Sequence, residues 1–262
     1  MNPARLFDLN HQLAIVTGAG GGLGSELARI LAAAQAHVVL VDCNLKAMDA
    51  LVADLQGQGQ SCSAYGCDLT DSAAIEDLIE RIEEQHGQID VLVNCAGILG
   101  ADAPMFAIES DDWDAVMAVN LKATWQLSTR VAKTMLERDV PGRIINISSS
   151  LGGRAQLNRI HYATSKAAVE HLTRNMAMEL VTHNIRVNCL APGWIATPMV
   201  SAILDGPDGE RWRRSIPMRR AAQPHELAGS LLLLASQASS YMTGSVLRVD
   251  GGYAYRGIEC GD

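Results

Sequence analysis

The chain has 262 residues, of which 48% are hydrophobic and 19% charged, and its formal net charge is −8 at pH 7. That length and apolar content suit a soluble globular protein with an ample core. The acidic balance, broken only by Arg211, Arg213 and Arg214 and then Arg219 and Arg220, argues against nucleic acid or an anionic membrane as a partner.

In chain order, the N-terminal stretch Met1–Asp8 shows no signal-peptide core before its first acid. Leu13–Thr17 reads as a buried strand. It runs into Thr17-Gly18-Ala19-Gly20-Gly21-Gly22-Leu23-Gly24, which opens a helix predicted over 23–35. Glycines in such a turn let backbone N–H groups approach a pyrophosphate at the helix N-terminus. A merely flexible loop is the plainer alternative. The second strand, His37–Asp42, ends 24 positions after Gly18 on a carboxylate. An acid there accepts hydrogen bonds from an adenosine ribose diol and repels a 2′-phosphate. With no base in the glycine loop or at Cys43 or Asn44, this favours NAD over NADP. The competing role for Asp42 is to cap the helix predicted over 44–57.

Further strands are predicted at Ser63–Cys67, Val91–Asn94, Arg143–Ser148, Arg186–Leu190 and Val246–Val249, with helices near 71–86, 111–138, 161–182 and 224–237. Asp71 or Ser72 caps the third helix, and Gly87 follows its end. Apolar strands alternating with helices predict an α/β protein with a Rossmann-type, doubly wound parallel sheet of seven strands covered on both faces. No repeat or linker divides it, so residues 1–262 are expected to form one coenzyme-binding and catalytic domain. The segment 197–222, rich in Pro, Gly and Arg, breaks the alternation and is expected to be the lid or substrate loop at the ligand-binding edge of the sheet.

Tyr162 and Lys166 lie four apart in the predicted helix 161–182, about one turn, and so share a face. A nearby ammonium favours a phenolate, and a phenol tuned toward neutrality moves protons. A solvated amphipathic pair is the plainer local reading. The serine triplet Ser148-Ser149-Ser150 ends a strand, where turn chemistry is the ordinary role. The six cysteines, Cys43, Cys62, Cys67, Cys95, Cys189 and Cys260, form no C-x-x-C pair and no metal-ligand spacing. They point to a reducing cytoplasm without disulfides. His225-Glu226 lacks a second histidine because position 229 is Gly, so no metal site is expected. Unbroken apolar runs such as Leu231–Ala235 are too short to span a bilayer.

The glycine loop, Cys67-Asp68-Leu69, Asn94-Cys95-Ala96-Gly97, Asn120, Ile147-Ser148-Ser149, Tyr162–Lys166, Pro192–Thr197 and Val249-Asp250-Gly251-Gly252 together resemble the short-chain dehydrogenase/reductase family over roughly residues 8–253. Cys95 stands where the family commonly has a second Asn. The resemblance implies a catalytic set of Asn120, Ser149, Tyr162 and Lys166, in which Ser149 is chosen because the family's serine precedes its tyrosine by thirteen positions. Tyr162 is then the acid/base, Ser149 binds the substrate oxygen, and Lys166 lowers the tyrosine pKa and holds the nicotinamide ribose. Asn120 binds a water in a proton relay. The implied coenzyme-binding set is Gly18, Gly20, Gly21, Gly22, Leu23, Asp42, Asp68, Leu69, Asn94, Ala96, Gly97, Tyr162, Lys166, Pro192, Gly193, Ile195 and Thr197.

The expected function is hydride transfer between NAD(H) and a secondary alcohol or ketone, most simply a small polyol, sugar acid or hydroxy compound. The alternatives are reduction of a 3-oxoacyl thioester on acyl-carrier protein and, in a different class, a catalytically silent NAD-binding sensor. Leu151, Gly152, Arg154, Asn158 and Trp194 are expected near the substrate. Family members commonly form homotetramers, here through helices 111–138 and 161–182 and the C-terminal region, where Leu231–Leu234 and Val246–Val249 are apolar enough to contribute. The tail from Ala254 to Asp262 carries no readable motif.

Overall fold

Parallel strands buried on both faces need apolar side chains at successive positions, and the chain supplies them in short runs. A computed structural model describes residues 6–255; residues 1–5, Cys260 and the rest of the tail from Arg256 lie outside the described residues. The strands are β1 (Leu13–Thr17), β2 (His37–Asp42), β3 (Cys62–Gly66), β4 (Val91–Asn94), β5 (Gly142–Ile147), β6 (Ile185–Pro192) and β7 (Val246–Val249). They form one parallel sheet in the order β3-β2-β1-β4-β5-β6-β7.

Adjacent strand residues face opposite layers. Val16, Val38 and Val93 pack with Leu27 and Leu31 of α1 (Gly22–Ala33) and Leu231 and Leu234 of a later helix. Ile15, Val39 and Leu92 pack with Ile75, Ile79 and Ile82 of α3 (Ser72–His86) and with Leu127 and Val131 of α5 (Ala123–Glu137). Each fully buried leucine or isoleucine in these layers contributes about 2 kcal/mol by burial.

The helices are α1, α2 (Asp49–Gly57), α3 (Ser72–His86), α4 (Ser110–Met117), α5 (Ala123–Glu137), α6 (Ile160–Leu180), α7 (Pro198–Leu204), α8 (Gly209–Ser215) and α9 (Ala228–Ala235). Asp71 caps α3, accepting from the Ala73 and Ala74 amides, and Gly87 ends it at φ 83°. The expected helix 111–138 is interrupted: Ala118–Lys122 forms a π-turn between α4 and α5, where an extra residue re-phases the helix. The expected helix 224–237 begins as a 3₁₀ turn at Pro224–Leu227 and ends with α9. Segment 197–222 is two short helices, α7 and α8, and Ile195 pairs with Ala222 beneath them. Among the described residues, no helix is long and apolar enough to cross a membrane.

Candidate active site

At β1–β4 the chain changes winding direction, and the strand C-termini there open a cleft of about 980 Å³. One end is the turn into α1. Gly18 adopts φ +68°, and a Cβ on it would lie 2.9 Å from Ala96 Cα. A Cβ at Gly24 would run into the Gly18 carbonyl oxygen. These glycines bring β1, α1 and the β4 loop closer than side chains permit. The first turn of α1 has no side-chain cap, which leaves its N–H groups free for an anion.

Asp42 lies at the same end. Its Oδ2 accepts from the Gly20 amide at 3.0 Å and its Oδ1 from the Asn44 amide at 2.9 Å. A Cβ on Gly20 would sit 3.1 Å from Oδ2 and 2.8 Å from Ala47 Cβ. Gly20 therefore supports Asp42 from behind and, unlike Gly21, Gly22 and Leu23, does not line the cleft. Asp68, Leu69, Ala96 and Gly97 line the adjoining wall. Asp68 Oδ1 accepts from the Thr70 hydroxyl at 2.7 Å and its amide at 2.9 Å, which holds that carboxyl below its ordinary range.

Asn94 departs from expectation. It is buried, its Nδ2 donating to Ser128 Oγ and to Asn146 Oδ1, both at 2.8 Å, while Asn146 donates to Thr173 Oγ1 at 2.9 Å. It ties β4, β5, α5 and α6 together beneath the cleft and does not reach the cleft surface. Thr17, not singled out from sequence, holds the β4 loop by accepting from the Cys95 and Ala96 amides at 3.0 and 3.1 Å.

The middle of the cleft gathers Ser149, Tyr162 and Lys166. The serine triplet divides its work. Ser148 is buried, donating to the Lys166 carbonyl at 3.0 Å, and Ser150 is buried as well. Ser149 is half-buried on the cleft wall, its Oγ accepting from the Leu151 amide at 3.2 Å. Tyr162 is also half-buried. Its close surroundings push the phenol above its ordinary value, and a hydrogen bond from Ser149 pulls it back in part.

Lys166 stands beside this phenol. Its Nζ is 5.8 Å from the Tyr162 ring centroid and donates to the Ile147 carbonyl at 2.9 Å. Burial also lowers the pKa of this ammonium.

Asn120 is fully buried rather than an exposed polar residue, and sits in the π-turn. Its Oδ1 accepts from the Ile98 amide at 2.8 Å; its Nδ2 donates to the Ile98 carbonyl and Ser165 Oγ, both at 3.0 Å. A Cβ on Gly97 would lie 3.2 Å from Asn120 Oδ1 and 3.4 Å from Lys166 Nζ, so Gly97 leaves the space into which both side chains converge.

Pro192, Gly193, Ile195 and Thr197, followed by Pro198 and Val200, also line the cleft, and Thr197 and Pro198 come up against Gly22 of the glycine turn. Of the expected substrate neighbours, Arg154, Asn158 and Trp194 line a second cavity beside the cleft. Leu151 instead packs with Ile216 and Tyr253, and Gly152 lies against Ser148 and Glu170. Cleft residues that the sequence reading passed over include Ile98, Leu99, Gly100, Val119 and Val200; they are apolar or Gly and carry no motif. A long cleft with uncapped helical amides at one end, an acid beside them and a lysine, tyrosine and serine midway fits an extended dinucleotide.

A family model described as enoyl-(acyl carrier protein) reductase matches residues 18–254. A 3-oxoacyl-[acyl-carrier-protein] reductase of Thermotoga maritima is 37% identical over 244 residues, 93% of this chain and 98% of the relative. The crystal structure of a gluconate 5-dehydrogenase from Burkholderia cenocepacia J2315, in complex with NADP and tartrate, is 36% identical with a TM-score of 0.90 and covers 95% of this chain and 98% of its own. That of an NAD+-bound xylitol dehydrogenase is 31% identical with a TM-score of 0.89 and covers 93% and 99%. The chain belongs to the short-chain dehydrogenase/reductase family and is an oxidoreductase of that nicotinamide-coenzyme-binding group, acting on CH–OH donors.

Proposed function

We propose that the enzyme transfers a hydride between NAD(H) and a secondary alcohol or its ketone on a small polyol, sugar acid or related hydroxy compound. The observation that carries this reading is the convergence of Ser149, Tyr162 and Lys166 midway along a cleft that begins at a glycine-rich helix N-terminus. The coenzyme supplies hydride exchange at the carbinol carbon. Gly18, Gly21, Gly22 and Leu23 would hold its pyrophosphate, with Asp42 on the adenosine ribose. Asp68, Leu69, Ala96 and Gly97 would flank the adenosine, and Pro192, Gly193, Ile195 and Thr197 the nicotinamide end. Gly20 and Asn94 act behind this surface.

In alcohol oxidation Tyr162 accepts the hydroxyl proton; in ketone reduction it returns one. Ser149 donates a hydrogen bond to the substrate oxygen, where charge develops. Lys166 holds the nicotinamide ribose, and Asn120 places a water between Lys166 and solvent. NAD is preferred because Asp42 repels a 2′-phosphate and Lys166, far along the cleft, is its only basic lining residue among the described residues. Residues 1–262 work as one domain, with α7 and α8 as the substrate lid. A cytoplasmic location is the reading that five free cysteines among the described residues support, and the expected assembly is a homotetramer.

The test compares NAD+ and NADP+ reduction by wild type, Tyr162→Phe, Ser149→Ala and Ser150→Ala across secondary alcohols. Tyr162→Phe is expected to remove nearly all turnover while NADH still binds by fluorescence titration. Ser149→Ala is expected to be severe and Ser150→Ala mild. Turnover near wild type in Tyr162→Phe refutes the acid/base assignment, and a clear preference for NADP+ refutes the coenzyme assignment.

A further inference from the structure

The second cavity, of about 1100 Å³, lies beside the cleft, and Trp194 on its wall falls between Gly193 and Ile195 of the cleft. One wall is aromatic: the Trp194 ring centroid is 5.3 Å from that of Trp212 and 6.1 Å, edge-on, from that of Tyr253. The rim is rich in arginine, and two of these charges are answered. Arg159 pairs with Asp102 at 2.8 Å and Arg214 with Glu210 at 3.0 Å.

Arg154 differs. Its Nη1 donates to the Tyr253 carbonyl at 2.6 Å, and its Cζ lies 4.2 Å from the Tyr253 ring centroid. The guanidinium is thus half-buried and fixed in direction, yet among the described residues no carboxylate pairs with it. A guanidinium held in place with its charge unanswered is preorganised for an anion, and its planar fork suits a carboxylate. Arg154 also stands five positions after Ser149 on the same loop. The Tyr253 that holds it packs with Leu151 and Ile216 in a cluster against which Tyr162 and Trp194 rest. The anion subsite and the phenol therefore share one wall.

We propose that Arg154 binds a carboxylate of the substrate. The enzyme then acts on polyhydroxy carboxylic acids of the aldonate class in preference to neutral polyols, with the C–H face of the carbon chain against Trp194. This rests on hydride transfer at Tyr162 and narrows its substrate.

NAD+ reduction is measured with a panel of aldonates and with alditols of matching configuration, using wild type, Arg154→Gln and Arg154→Lys. Wild type is expected to favour the acids in kcat/KM. Arg154→Gln is expected to lower kcat/KM for aldonates about thirtyfold more than for alditols, chiefly through KM. Arg154→Lys, which keeps the charge and loses the fork, is expected to recover part of the difference. A wild type without preference for acids, or an Arg154→Gln enzyme that loses both classes equally, overturns the proposal. Oxidation of alditols alone overturns it and leaves hydride transfer at Tyr162 standing; oxidation of neither class overturns both.

Discussion

Tyr162 meets opposing influences, and their balance sets a pH dependence. Burial raises the phenol pKa above its ordinary value of about 10, while Ser149 hydrogen-bonds the ionised form and lowers it. Removing the Ser149 hydroxyl removes stabilisation of the phenolate, so the pKa must rise. Alcohol oxidation needs the phenolate as base, so its pH profile moves to the alkaline side; ketone reduction needs the protonated phenol and keeps its activity to higher pH. In coenzyme-free protein, the tyrosinate difference spectrum of wild type minus Tyr162→Phe is expected to titrate above the ordinary phenol value. The same difference taken in a Ser149→Ala background is expected to titrate higher still, and a midpoint that falls or stays fixed shows that the hydroxyl does not bond the phenolate. The Tyr162–Lys166 pair was legible in the sequence because one helical turn fixes its spacing locally, whereas Ser149 is singled out of its triplet only by the family resemblance. What Lys166 touches was not legible: its partner, the Ile147 carbonyl, lies on another element.

The helices show the same division. The strands were legible, to within a few residues at their ends, because a parallel strand buried on both faces needs an unbroken apolar run, as in Leu13–Thr17 and Val91–Asn94. The π-turn at Ala118–Lys122 was not legible, because its cause is non-local: Asn120 bonds Ile98 across the β4 loop and Ser165 on α6. Asn94 misled for a related reason, since its partners Ser128 and Asn146 come from other elements. The turn clamps the loop Gly97–Gly100 over the cleft, so its loss has a structural cost. Asn120→Ala leaves the part-buried Ile98 amide and carbonyl without their side-chain partner and is expected to lower unfolding free energy by about 2 kcal/mol. The Ile98 amide is expected to lose hydrogen-exchange protection at the same time. A loss below about 1 kcal/mol with Ile98 still protected means that the π-turn holds itself without this side chain.

At the scale of the molecule, the sheet order follows from the alternation of strands and helices, but the outer faces are a separate matter. Leu231 and Leu234 of α9 are consumed by the monomer core, so they are not available to an interface as a set. The outward faces of α5 and α6 carry apolar groups that no core takes up. Trp125 is 49% and Leu136 40% exposed on α5, and Met178 is 76% exposed on α6. Trp125 and Leu136 are eleven residues apart, about three turns, and so lie on one helix face. Exposed large apolar side chains on neighbouring helices suit an association surface, and a closed homo-oligomer would cover them with copies of the same helices. These faces support the proposed homotetramer, with α5 and α6 of one subunit against those of another. Light scattering coupled to size exclusion is expected to give about four times the 28.0 kDa chain mass. Trp125→Asp, which buries a charge in that interface, is expected to shift the mass toward dimer or monomer. The side chain faces outward, so circular dichroism of the variant should stay that of a folded protein. A wild-type monomer rules out the tetramer, and an unchanged mass in Trp125→Asp moves the interface off α5.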